Sequence, residues 1–378
     1  MTLRRAVFWT HLAAGLVTAL FIGLMSVTGV LLTYERQMIR WAQDAAVSAP
    51  AGEAPLTFQG LADAAAAEGA QAGHVVTVPD GRTGAVHVAA GQRNVFLLDP
   101  YTGERLEGAG EDMEAFFGRV MRIHRWLAFT GGRNDLGAAI NGAANLAFAA
   151  LILTGLYLWW PKVWRWAFVK TQLLFRRHYP SAKARHYNWH HVMGFWMALP
   201  LLAITLTGAV FSYGWANALV YAAFGESVPV RGGPPAPAGT ADAAPDEPQA
   251  LAGEPVPLDA LVALAVAETG PGRRIAITLP EESAGTVRIS VDHGNGAQAA
   301  LIDEVVVFRD GSGLATATPA RRSPAAQARR YIRFLHTGEI YGLAGQTLAG
   351  LASLFAVLLV YTGACLGVTR LWRMRRAR

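Results

Sequence analysis

The chain has 378 residues, 52% of them hydrophobic and only 16% charged, with a formal net charge of +6. Soluble domains carry about a quarter charged residues, and here the apolar excess gathers in four runs, which excludes a purely soluble protein. The basic residues flank those runs, which accounts for the charge without nucleic acid. The one cysteine, Cys365, excludes an intramolecular disulfide, a Cys-ligated cluster and a zinc ribbon.

The first apolar run, Ala6–Tyr34, follows Arg4 and Arg5. It exceeds the roughly 7–15 residues of a signal-peptide core, and the nearby cleavage-like Val47-Ser48-Ala49 is followed by Pro50. A retained anchor is expected. Residues 35–135 then read as an external segment. It contains a linker, Ala45–Pro55, a helix, Leu56–Glu68, and strands His74–Val78, Ala85–Ala89 and Asn94–Leu98.

The second run is Leu136–Trp160. Residues 161–190 follow as a basic loop with seven Lys or Arg (Lys162, Arg165, Lys170, Arg176, Arg177, Lys183, Arg185) and no acid, so it is expected in the cytoplasm. The third run, Val192–Tyr213 within 191–213, carries a kink at Pro200. Residues 214–342 form a second external segment. Its linker, Val228–Pro257, includes the run Gly232–Pro237 and reads as disordered. A helix, Leu258–Glu268, and strands Arg274–Leu279, Val287–Val291 and Val305–Arg309 come after it. The fourth run, Leu343–Val368, ends in a tail, 369–378, with five Arg and no acid.

Each run can reach the roughly 20 residues that cross a bilayer. The expected fold is therefore membrane α-helical, with four transmembrane helices in two parallel repeats, each repeat carrying one external α+β module. Both termini fall on the cytoplasmic side. The repeat is visible in spacing: His11 is followed by Gly15 and by Thr28-Gly29, and His190 by Gly194 and by Thr207-Gly208, at the same intervals. His124 precedes Thr154-Gly155 and His336 precedes Thr362-Gly363, with an insertion expected around Gly131–Asn134. Two halves of the same orientation are related by an approximate two-fold axis along the membrane normal.

That axis turns the repeat into chemistry. It sets His11 opposite His190 near the cytoplasmic face, and His124 opposite His336 near the outer face. Two facing imidazoles can supply both axial ligands of a haem iron. Gly15 and Gly194 share the face of their histidines one turn on, leaving a bare patch for a porphyrin. His191 points about 100° away from His190 and is the fallback ligand. Arg119, Arg122 and Arg125 surround His124, and Arg329, Arg330 and Arg333 approach His336. They could hold haem propionates or an anionic substrate.

Blander readings stand beside these. The four histidines could meet lipid headgroups or pack helices, although ionisable residues within spans are functional by default. A shared copper or zinc site is disfavoured, because the two levels lie about 26 Å apart on a helix. His74, His87 and His293 read as structural residues of the modules, and His178 and His186 as loop residues at lipid headgroups. Trp9, Trp159, Trp160, Trp164, Trp166, Trp189 and Trp372 read as an aromatic belt, and the Thr-Gly pairs as helix-packing points.

Several segments carry a resemblance: Phe8-Trp-Thr-His11-Leu-Ala-Ala-Gly15, Arg122-Ile-His124-Arg-Trp-Leu, Thr154-Gly-Leu-Tyr-Leu-Trp-Trp-Pro161, Trp189-His190-His-Val-Met-Gly194-Phe-Trp and Leu335-His336-Thr-Gly. Together they resemble the PepSY-associated transmembrane family over nearly the whole chain. Phe96-Leu-Leu-Asp-Pro-Tyr-Thr-Gly-Glu-Arg-Leu106 is similar to the final strand and turn of a PepSY module; the second module has Phe308-Arg-Asp-Gly-Ser-Gly313 and is the more divergent copy.

The resemblance implies a bacterial inner-membrane protein with two periplasmic PepSY-like modules and a role in iron uptake. It implies two haems b, with His11, His190, His124 and His336 as ligands, and reduction of a ferric siderophore or other ferric chelate. No residue maps onto a siderophore site, and no catalytic residue is named. The chain has no G-x-G-x-x-G after a strand, so the expected electron donor is a membrane quinol or a separate cytoplasmic reductase. The competing reading is a non-redox, membrane-anchored PepSY protein that binds a ligand or regulates a peptidase. A permease ranks behind both, since the spans hold few charges and no break beyond Pro200.

Overall fold

The computed structural model describes residues 2–91, 93–161, 164–229, 253–319 and 323–376. The Gly232–Pro237 run, Lys162 and Arg378 lie outside the described residues. In chain order the elements are α1 (Leu3–Leu32), α2 (Glu35–Asp44), α3 (Phe58–Ala67), β1 (Val75–Pro79), β2 (Val86–Ala90), β3 (Arg93–Leu98), α4 (Glu111–Trp126), α5 (Asp135–Trp159), α6 (Trp166–Leu173), α7 (Ala182–Trp196), α8 (Ala198–Ser212), α9 (Gly214–Ala222), α10 (Leu258–Thr269), β4 (Arg274–Thr278), β5 (Thr286–Asp292), β6 (Ile302–Phe308), β7 (Leu314–Pro319), α11 (Pro324–Thr337) and α12 (Gly342–Arg376). They form two units, one of Met1–Glu35, Phe116–Val228 and Ala328–Arg378, the other of Arg36–Ala115 and Pro229–Gln327.

The first unit is a helical bundle. α1 packs on α5 and α12, and α7 with α8 packs on the same two helices from the other side. So α1 and the α7–α8 pair lie on one diagonal. Among the described residues three helical stretches, Leu3–Asp44, Asp135–Trp159 and Glu339–Arg376, are long and apolar enough to cross a membrane, and the bent pair of α7 and α8 makes a fourth if counted as one span. In an apolar setting the backbone must satisfy itself. α1 does so, and its hydroxyls fold back too: Ser26 donates to the Ile22 carbonyl at 2.7 Å.

The third span departs from expectation in two ways. The helix begins at Ala182, where Ser181 accepts from the Ala184 N–H at 3.2 Å, so residues 182–190 are helix and not loop. It then breaks at Met197, with 64° between its halves. Pro200 has no N–H for the carbonyl four residues earlier, and its ring crowds that carbonyl. The break therefore falls ahead of the proline itself.

The second unit corrects the expectation of two separate modules. Its strands form one antiparallel sheet in the order β3-β2-β1-β4-β5-β6-β7. β1 joins β4 from Val75↔Thr278 to Pro79↔Arg274. Each is the first strand of its module and would otherwise expose an unpaired edge. α3 and α10 cover one face with matching residues: Leu61, Ala62 and Ala65 from one, Leu261, Val262 and Ala265 from the other, in a core with Val76, Val88, Ile277 and Ile289. α2 and β7 are additions to the expected elements; β7 reads Leu-Ala-Thr-Ala-Thr-Pro, with little hydrophobic contrast.

The divergent turn of the second module keeps the chemistry of the first. Asp99 Oδ1 accepts from the Tyr101 N–H at 2.8 Å, and Asp310 Oδ1 from the Ser312 N–H at 2.9 Å. Both turns place a glycine at φ 73°, Gly103 and Gly311, a conformation that other residues rarely adopt.

Candidate functional site

The histidines singled out by spacing share one environment, four times over. His11 on α1 sets Nδ1 2.9 Å from Thr154 Oγ1 on α5. His190 on α7 sets Nδ1 3.0 Å from Thr362 Oγ1 on α12. His124 on α4 meets Thr28 on α1 at 2.8 Å, and His336 on α11 meets Thr207 on α8 at 2.9 Å. Each threonine belongs to a Thr-Gly pair, and the glycine makes room for the ring. A methyl added to Gly155 would lie 3.4 Å from His11 Cε1, to Gly363 3.2 Å from His190 Cε1, to Gly208 3.4 Å from His336 Cε1 and to Gly29 3.7 Å from His124 Cε1. The Thr-Gly pairs thus seat histidines as well as packing helices.

The hydrogen bonds assign the tautomer. Each threonine hydroxyl lies 2.6–2.8 Å from the carbonyl four residues back, and a carbonyl only accepts. The hydroxyl proton goes there, so Oγ1 accepts from an Nδ1–H. His336 gives the same result independently, since its Nδ1 is also 3.0 Å from the Ile204 carbonyl. With the proton on Nδ1, Nε2 keeps its lone pair, and among the described residues no hydrogen bond engages Nε2 of these four. Imidazoles held this way are suited to metal ligation.

Electrostatic coupling links His190 first to His191 and then to His11, and His124 to His336. Among the described residues no three His, Cys, Asp or Glu side chains gather as a metal-holding group. Gly15 and Gly194 leave open surface beside their histidines: among the described residues outside their own helix, a methyl on either would meet one leucine atom within 4 Å, of Leu151 at 3.8 Å or Leu359 at 3.7 Å. His191 has no threonine seat, although it lies near enough to His11 and His190 to couple with both. Its Nδ1 bonds the Tyr187 carbonyl at 2.9 Å and its ring lies 4.0 Å from that of Tyr187.

The arginines divide. Arg125, Arg329 and Arg333 lie near enough to repel one another; burial, then Arg333, holds Arg125 below the usual arginine range. Arg329 donates to Asn217 Oδ1 at 2.7 Å and lies 4.5 Å over Phe211, whose ring meets His336 edge-on at 5.3 Å. Arg125 lies over Trp126 and Arg333 over Phe334. Arg122 buries an Nε with no hydrogen-bond partner among the described residues. Arg119 is exposed.

Two residues read from sequence have other surroundings than expected, and a third enters the site. His186 is on α7 and not in a loop, edge-on to Tyr361 at 5.4 Å, with Nε2 buried and without a hydrogen-bond partner among the described residues. Trp159 is buried, stacked on Phe195 at 4.3 Å, and does not belong to an aromatic belt. Asn141 emerges as a support, donating from Nδ2 to the His124 carbonyl at 2.6 Å. Its signal, one of two amides (with Asn145) inside an apolar run, was available in the sequence.

No curated protein matches the chain closely enough to count as a relative. The family described as the PepSY-associated TM region matches residues 8–370. That match spans nearly the whole chain, which is therefore a multi-pass membrane protein belonging to the PepSY-associated transmembrane family.

Proposed function

We propose that this protein binds two haems b, one between His11 and His190 and one between His124 and His336, and serves as a reductase of a periplasmic ferric siderophore or similar ferric chelate. The observation that carries this reading is the fourfold Nδ1–Thr arrangement, which leaves four Nε2 lone pairs at two levels of the bundle. Bound haem would supply one-electron chemistry at each level. The chain's part is to hold the iron from both sides, to offer Gly15 and Gly194 as flat surfaces, and to place Arg125 and Arg333, with Arg122, where carboxylates of the cofactor or an anionic chelate could pair with them.

The basic loop and tail favour an inner-membrane orientation with cytoplasmic termini and the sheet unit in the periplasm. The donor would be a membrane quinol or a separate cytoplasmic reductase. Reduction of iron(III) to iron(II) weakens its hold by hard oxygen ligands and so would release iron for uptake.

The test is a reduced-minus-oxidised spectrum of the purified protein with a haem-to-chain ratio, followed by reoxidation with a ferric chelate. A low-spin spectrum near two haems per chain, reoxidised by chelate, is expected. Absence of haem after expression with ample haem supply would favour the non-redox anchored binding protein.

A further inference from the structure

We propose that Thr28, Thr154, Thr207 and Thr362 are positioning residues that set the ligand geometry and tune the redox potential of the iron held by the histidines; this rests on the haem reading above. The acceptor on a ligand's remote N–H governs how much electron density the imidazole gives to its metal. A carboxylate would pull hard on that proton. Here the acceptor is a neutral hydroxyl whose own proton is already given to the carbonyl four residues back, at 2.6–2.8 Å. With little water inside a bundle to substitute for it, the acceptor is fixed by the helix that carries it. Each half builds its own two seats: His11 with Thr154 and His124 with Thr28 in the first, His190 with Thr362 and His336 with Thr207 in the second. The ligand pairs, by contrast, join the halves.

The seats are not equal. His336 Nδ1 has a second acceptor, the Ile204 carbonyl at 3.0 Å. For His11 Nδ1, Thr154 is the acceptor among the described residues. Removing the hydroxyl should therefore matter more at Thr154 than at Thr207.

The experiment uses full-length purified protein with Thr154→Val, Thr154→Ser and Thr207→Val, checked for membrane insertion. Haem content and the midpoint potential of each haem are read. Thr154→Val should raise the midpoint of the inner haem while leaving the outer one in place, or weaken haem retention by about 10–100-fold. Thr154→Ser should restore both readouts, and Thr207→Val should move the outer haem less. Wild-type protein with two haems, and Thr154→Val with unchanged content and potentials, would overturn the inference while leaving the haem reading intact. Equal loss in the Val and Ser variants would assign the threonine to packing and overturn it too. Wild-type protein without haem would overturn both readings.

Discussion

Gln59 and Asp259 cap each other's helices. The Leu258 N–H donates to Gln59 Oε1 at 3.1 Å, and the Phe58 and Gln59 N–H groups donate to Asp259 Oδ1 and Oδ2 at 2.9 and 3.0 Å. The two residues stand at equivalent positions of α3 and α10, as Leu61 and Leu261 do. The contact is self-complementary in the manner of a two-fold interface.

The capping predicts an asymmetry. Asp259 accepts two bonds as a charged group and Gln59 accepts one as a neutral amide. Asp259→Ala should cost about 0.5–2 kcal/mol, as lost helix caps do, and Gln59→Ala less. Hydrogen exchange at the first turn of α3 should speed up by about 2–30-fold in the aspartate variant. Unchanged exchange there would show that the cap carries no weight.

The apolar helices, the module strands and the four histidines with their Thr-Gly pairs were legible because each leaves a local trace: hydropathy, alternation or a fixed interval. What was not legible depends on partners distant in sequence. The β1–β4 join rests on two strands about two hundred residues apart, with nothing local to show that Val75 meets Thr278. The interval from His11 to Thr28 was visible, but the hydroxyl that His11 uses is Thr154, 143 residues on. The break at Met197 was displaced from its cause, since proline acts on the carbonyl a turn before it.

Removing one imidazole should empty one level. His11→Ala or His190→Ala should lose the inner haem and keep the outer, and His124→Ala or His336→Ala the reverse, with the ratio near one haem per chain in each variant. His191→Ala should keep both, because its ring lies against Tyr187 and outside the Thr-Gly seats. Loss of the inner haem in His191→Ala but not in His190→Ala would move the ligand by one residue.

Bulk at Gly194 should exclude the cofactor without disturbing the bundle. Among the described residues outside its own helix, only Leu359 Cδ2, at 3.7 Å, lies within reach of an added methyl, and glycine in a helix interior is worse than other ordinary residues by up to about 1 kcal/mol. Gly194→Leu should therefore insert normally and retain the outer haem but not the inner one. Full inner-haem occupancy would show that no flat ligand lies on this face.

Acid should loosen the sheet unit through His87. Burial, then the neighbouring Arg40 guanidinium, lowers its pKa below the ordinary histidine value; Asp44 opposes the shift and Arg274 adds to it. The unfolded chain, with an ordinary value of about 6.5, takes up this proton before the folded one does. Stability therefore rises with pH between the lowered folded value and about 6.5, is complete above that range and falls as pH drops through it. The protection factors of the β2 amides, measured relative to intrinsic exchange at each pH, should fall as pH drops from about 7 to about 5. His87→Asn should remove much of that acid response, since asparagine presents a polar side chain with no proton to gain. An acid response of equal size in the variant would place the sensitivity elsewhere in the sheet.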